Sequence, residues 1–126
     1  MAELKYSRDH QWVRAADGRA VVGISEFARS ELGEISFVEL PPLGRRCAQG
    51  EAVCALDSLK STSEIYAPLT GRVVAVNERL REEGGCARID SDPLGEGWLF
   101  VLELERPAEL AGLLSAEEYE RFLAGG

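Results

Sequence analysis

Long hydrophobic runs are missing from this chain, and no apolar stretch approaches the length of a membrane span. Histidine and methionine are almost missing too, with one of each in 126 residues. A single imidazole, His10, excludes a histidine-rich metal site, and any cysteine nucleophile would have to share it. Acid–base catalysis is therefore short of material, and the chain is not expected to be an enzyme. Positive charge is scarce: 14 Lys and Arg face 22 Asp and Glu, for a net charge of −8 and a pI near 4.7. Such a surface repels phosphate backbones and anionic lipid, so neither nucleic acid nor a membrane is an expected partner. Cys47, Cys54 and Cys86 form no CxxC pair, zinc knuckle or even-numbered framework, and reduced thiols are expected. Met1 to Lys5 carries no apolar signal core and no arginine-rich transit pattern. A cytoplasmic, bacterial-type location is the expectation, although a mature organelle form would look the same.

What is present suits one folded unit over residues 1–126. Hydrophobic residues make up 45% and charged residues 29%, the balance of a globular domain able to bury a core. Gln11 to Arg14 and Arg19 to Ile24 flank Asp17-Gly18, a pair suited to the positive backbone angles of a tight hairpin. Ser25 can cap a helix over Glu26 to Leu32, with Gly33 ending it. Ile35 to Leu40 is a strand stopped by Pro41-Pro42. Ala52 to Leu56 and Val73 to Val76 are short buried strands, whereas Asn77 to Gly85 is polar and is expected to be loop. Asp92-Pro93-Leu94-Gly95 is a turn. From Trp98 to Glu105 the residues Trp98, Phe100, Leu102 and Leu104 share one face of a strand. Pro107 opens a helix with Leu110, Leu113 and Leu114 on one side. Ser115 and Glu118 form a capping box for a last helix with Tyr119, Phe122 and Leu123 in a stripe, placing C-terminal helices over about 107–124.

The segment "LDSLKSTSEIYAPLTGRV", residues 56–73, holds a solitary lysine, Lys60. Around it, Gly50 to Leu56 and Gly71 to Asn77 are weakly alike, each with glycine first and valine fourth. A quasi-symmetric hairpin with Lys60 at its tip follows. Small polar neighbours, Ser58, Ser61 and Thr62, leave the amine accessible, while Ile65, Ala67 and Leu69 can tie the next strand into the core. A fixed tip with an acylated amine would let a tethered group visit several active sites. A lysine in a loop is otherwise simply solvated, and spacing alone does not choose between the two.

Four blocks decide. "LKYSRDHQWV" at 4–13, "VGISEFARSELGEISFVELPPLG" at 22–44, "ALDSLKSTSEIYAPLTGRVVAVN" at 55–77 and "DPLGEGWL" at 92–99 together resemble the glycine cleavage system H protein family, in the family's order. The resemblance implies a mainly β fold, the lipoyl-carrier barrel-sandwich of two small antiparallel sheets with a short internal helix and C-terminal helices. It implies lipoic acid in amide linkage to Lys60, with Asp57, Ser58, Leu59, Ser61 and Glu64 recognised around it. It implies a non-catalytic carrier of the aminomethyl group of glycine. The partners would be glycine decarboxylase, aminomethyltransferase, dihydrolipoyl dehydrogenase and a lipoate-attaching enzyme.

The departures from the pattern are local. Gln11 stands where the family's His-Glu-Trp has a carboxylate, and Phe27 stands where many members carry histidine. Together with His10 these two mark the candidate arm-docking cleft. Asp57 and Glu64 exchange one acid for another, and Gly84-Gly85-Cys86 replaces a proline-containing segment. Biotin carriers are disfavoured because Leu59 and Ser61 replace their flanking methionines, and lipoyl domains of 2-oxoacid dehydrogenases lack the other blocks. An H-like protein serving mainly as lipoyl donor or relay in protein lipoylation, and an unmodified interaction module, are the alternatives.

Overall fold

The Asp17-Gly18 pair has φ of 53° and 79° in the computed structural model, which describes residues 4–125. Both central residues are left-handed, so the turn follows the natural twist of the strands it joins, β2 (Gln11–Ala16) and β3 (Arg19–Ile24). β1 (Leu4–Tyr6) lies on the outer side of β2. The helix α1 (Glu26–Leu32) has the expected bounds. Ser25 Oγ accepts from the Ala28 N–H at 3.2 Å at its start, and Gly33, at φ 76°, donates back to the Arg29 carbonyl at its end.

Four further strands follow: β4 (Ile35–Glu39), β5 (Arg46–Cys47), β6 (Ala52–Ser58) and β7 (Thr62–Tyr66). After them come β8 (Gly71–Val76), helix α2 (Ala87–Ser91), β9 (Phe100–Leu104), β10 (Leu114–Ser115) and helix α3 (Ala116–Gly125). Pairing is antiparallel throughout these strands. One sheet has seven strands in the order β10-β1-β2-β3-β9-β8-β5, and the other three in the order β4-β6-β7. The chain is thus mainly β with two antiparallel sheets, and because no strand belongs to both, the sandwich is not closed into a barrel.

Alternation fills the space between the sheets. Val22 and Ile24 of β3, Leu56 of β6, Ile65 of β7, Val73 of β8, and Phe100 and Leu102 of β9 are buried in one core with Leu69. Each such side chain contributes about 1.5–3 kcal/mol by leaving water. Trp12 is fully buried opposite Gly23, where an added Cβ would sit 2.6 Å from the indole. Only glycine leaves room for that ring, whose Nε1 donates to the Pro93 carbonyl at 2.8 Å.

Three sequence expectations need correction. Pro107–Gly112 is a 3-10 helix, and Leu114 leaves it to pair with Tyr6 in β10. Leu113 is the extended residue that ends the helix, its N–H donating to the Leu110 carbonyl at 3.2 Å, a three-residue return that fits the tighter helix. The polar segment after Asn77 is not plain loop: Glu78–Arg81 forms a 3-10 turn that buries Leu80, and α2, with Ile89 buried, follows it. The strand expected from Trp98 begins at Phe100, because the Asn77 side chain donates to the Trp98 carbonyl and takes that residue out of the ladder.

Candidate functional site

β6 and β7 form the hairpin that carries Lys60, with the turn at Ser58-Leu59-Lys60-Ser61. Ser58 N–H donates to the Ser61 carbonyl at 2.8 Å. Its hydroxyl does more. Ser58 Oγ donates to the Ser61 carbonyl at 3.1 Å and accepts from the Lys60 and Ser61 N–H groups at 3.2 and 3.1 Å. That uses the one donor and both lone pairs of a serine side chain. Below it, Thr62 Oγ1 donates to Asp57 Oδ1 at 2.7 Å, and Ser36 Oγ donates to the Asp57 carbonyl at 3.1 Å. Neither Leu59 nor Lys60 has a positive φ, so the turn needs no glycine. The Lys60 side chain is exposed and passes over Gly33, whose Cβ position would lie 3.9 Å from Lys60 Cε. Leu59 is 75% exposed beside it. A rigid turn thus presents a free primary amine.

A groove of about 200 Å³ lies against the same hairpin, between α1 and β7. Ile24, Phe27, Ala28, Leu32 and Ile65 give it apolar walls, and His10 closes one side. Asp9, Glu31 and Glu64 add carboxylates at its margin. His10 and Phe27 are in contact, with ring centroids 4.7 Å apart. His10 has a φ of 67°, and its Nδ1 is hydrogen-bonded to Tyr119 Oη at 2.7 Å. Tyr119 Oη also meets Ser25 Oγ at 2.8 Å, so one hydroxyl joins α3, the cap of α1 and the groove histidine. Burial pushes the Tyr119 phenol above its ordinary pKa and keeps that proton in place.

Gln11 is not part of this groove. His10 lies just before β2 with a left-handed backbone, so strand geometry does not place Gln11 beside it, and the buried Gln11 side chain turns instead to the backbone of Tyr66. Its Oε1 accepts from the Tyr66 N–H at 3.0 Å and its Nε2 donates to the Tyr66 carbonyl. The amide behaves as an extra strand residue, pairing the edge of β7 and fastening the lysine hairpin to the larger sheet. The sequence comparison of Gln11 with a carboxylate missed this role. Strand periodicity could not have signalled it, since Gln11, Trp12 and Val13 are buried in succession rather than in alternation. The roles of Ser58 and Tyr119 were equally hidden, one in a generic small residue and the other in a helix stripe.

The geometry now meets the comparisons. The family described as "Glycine cleavage H-protein" matches residues 4–125. The chain belongs to the glycine cleavage H-protein family. A glycine cleavage system H protein of Coprothermobacter proteolyticus is 46% identical over 121 residues, covering 95% of this chain and 94% of that one. A second, from Symbiobacterium thermophilum, is 45% identical over 125 residues, with 99% and 96% covered. Among solved structures, the crystal structure of a glycine cleavage system H protein from Mycobacterium marinum superposes with a TM-score of 0.86 at 32% identity, covering 98% of each chain. In this H-protein family member the exposed lysine and its serine-locked turn stand at the tip of the β6–β7 hairpin, and the apolar groove runs between α1 and β7.

Proposed function

We propose that the protein is the lipoyl carrier of a glycine cleavage system. In this reading it passes the aminomethyl group of glycine from the pyridoxal-phosphate decarboxylase to the tetrahydrofolate-dependent aminomethyltransferase, and the reduced arm to dihydrolipoyl dehydrogenase. The observation that supports it best is the exposed Lys60 amine on a turn whose backbone is held by the donor and both lone pairs of the Ser58 hydroxyl. An attaching enzyme needs both accessibility and a fixed approach.

The residues present fit a lipoyl group. Lys60 would hold it as an amide, and the neighbouring groove offers apolar walls of a size suited to a short aliphatic chain. When bound, that group supplies a disulfide that can be reduced, loaded and reoxidised. The chain's own part is to shelter and to release. Ile24, Phe27, Leu32 and Ile65 exclude water from the groove, and Asp9, Glu31 and Glu64 favour a cationic amine at its margin. Gln11 supplies no charge to this site, so its departure from the family pattern does not empty the groove of carboxylates. That weakens the case for a pure lipoyl donor, which rested on the loss of acid at that position.

The test is the intact mass of the protein after expression with lipoate and a lipoate ligase. One added lipoyl group should appear, and none in Lys60→Arg, because arginine keeps the charge but forms no such amide. Modification at another lysine would overturn the site. Exchange of labelled bicarbonate into glycine, with the lipoylated protein and a matched decarboxylase, then separates the carrier from a lipoyl donor. Absence of exchange favours the donor.

A further inference from the structure

A larger groove, of about 730 Å³, lies on the other side of the hairpin. Ser36, Phe37 and Val38 are consecutive in β4 and all line it. Successive residues of a regular strand face opposite ways, but the pairing with β6 shifts register between Ile35 and Phe37, and there Ser36 and Phe37 are both exposed along the strand's edge. That edge is open. β4 is the outermost strand of its sheet and pairs only with β6. Among the backbone hydrogen bonds outside the sheets, none involves the N–H or carbonyl of Ser36, Phe37, Val38 or Glu39. At the start of the strand the Ile35 N–H turns to the Asp90 carboxylate at 3.3 Å, as a capped end would. Natural edges are usually blunted by lysine, proline, a bulge or a covering segment. This one has an irregularity between Ile35 and Phe37, yet beyond it Phe37 is 56% exposed and no lysine or proline lies between Ile35 and Glu39.

The opposite wall is acidic. Glu82 and Glu83 stand exposed on the turn facing β4, and Glu34 and Asp90 flank its start. Arg81 is the one basic residue of the lining and Glu78 already holds it at 2.7 Å, while Arg88 beside the groove reaches Glu82 only at 3.9 Å and leaves Glu83 unpaired among the described residues. The groove is also coupled to the lysine turn, because the Glu34 carbonyl accepts the Leu59 N–H at 3.3 Å. A second copy of this chain, with its net charge of −8, would be repelled there.

We infer that this groove takes an extended, basic segment of an enzyme that works on Lys60, added as a further strand on β4. Main-chain pairing to the open edge supplies affinity, and contacts of lysine or arginine with Glu82 and Glu83 supply selectivity. The partner body is then brought against Leu59 and Lys60. The identity of the partner depends on the carrier reading of Lys60; the groove itself does not.

The experiment has two arms. Unmodified protein is titrated with a peptide alternating lysine and valine, and with its glutamate-for-lysine counterpart, while the amide signals of Ile35 to Glu39 are followed. The basic peptide should shift those signals, the acidic one should not, and the E82K/E83K variant should abolish the effect. No shift at β4, or equal shifts with both peptides, overturns the groove. In the second arm, KM for the protein is measured with the lipoate ligase, the decarboxylase, the aminomethyltransferase and the dehydrogenase. E82K/E83K should raise KM about tenfold for at least one of them with kcat kept. Unchanged KM for all overturns the partner assignment. A protein that binds the basic peptide at β4 but is never modified at Lys60 would count against the carrier reading and not against the groove.

Discussion

At Gln11, two atoms of a side-chain amide do what a neighbouring strand would do, one accepting from and one donating to the Tyr66 backbone. A carboxylate in that place keeps the first bond and loses the second, and sets a negative oxygen against a carbonyl in a buried site. Gln11→Glu should therefore lose about 2–3 kcal/mol at neutral pH. Burial and the facing carbonyl hold the introduced acid's folded pKa above its unfolded value. Stability is then restored below that range, where a protonated acid regains a donor, and is lost as pH rises through the folded pKa. Urea unfolding at about pH 5 and about pH 8 checks this, and equal losses at both would refute it. Cys54 makes a different prediction. Its burial pushes the thiol up to about 12, so the folded chain keeps a proton that the unfolded chain releases near the ordinary value of 9.0. Unfolded protein binds fewer protons in that window, and stability falls as pH rises through it. Cys54→Val should flatten the decline measured by alkaline denaturation.

Elements were legible wherever local chemistry determined them. Asp17-Gly18, the Ser25 cap with Gly33, and the Ser115–Glu118 box each match the structure, the last with reciprocal bonds of 2.8 and 3.1 Å. α2 and the shortened 3-10 helix were not, because both depend on what tertiary packing does with Leu80, Ile89 and Leu113 rather than on caps. The same split runs through the site. Lys60 was visible in the sequence, whereas the hydroxyl of Tyr119 reaches His10 from 109 positions away, and no local pattern announces it. That hydroxyl latches α3 to α1, so Tyr119→Phe should cost about 1–2 kcal/mol. Hydrogen exchange across α3 should quicken with it, and unchanged protection there would show that stacking on Tyr6, at 4.3 Å, suffices alone. Ser58→Ala acts on the turn instead. Global stability should fall by only about 1 kcal/mol, since the turn is exposed, while exchange at the Lys60 and Ser61 amides speeds up. If turn rigidity matters to the attaching enzyme, kcat/KM for lipoylation of this variant drops well beyond what its stability explains; an unaltered rate would mean that the enzyme fixes the turn itself.

Over the whole molecule, the two sheets and the acidic balance answer different questions. The family resemblance implied a mainly β chain, yet neither it nor the strand pattern indicated that one sheet would gather seven strands, because β5 and β10 are two-residue pairings that only the assembled neighbours create. Charge needs no such assembly to be informative. On the proposed carrier reading, a net charge of −8 favours encounter with basic surfaces on the partner enzymes, and exposed pairs of that kind are screened by salt. The ordering of kinetic constants follows. Raising ionic strength from about 0.05 to about 0.5 M shortens the screening length severalfold, so KM of the lipoate ligase for the unmodified chain should rise while kcat, set after docking, stays within about twofold. An apolar docking surface would give the reverse trend, since salt strengthens burial of apolar area. A KM that is flat or falling with salt therefore assigns recognition to Leu59 and Phe37, and a rising one assigns it to the carboxylates around the hairpin.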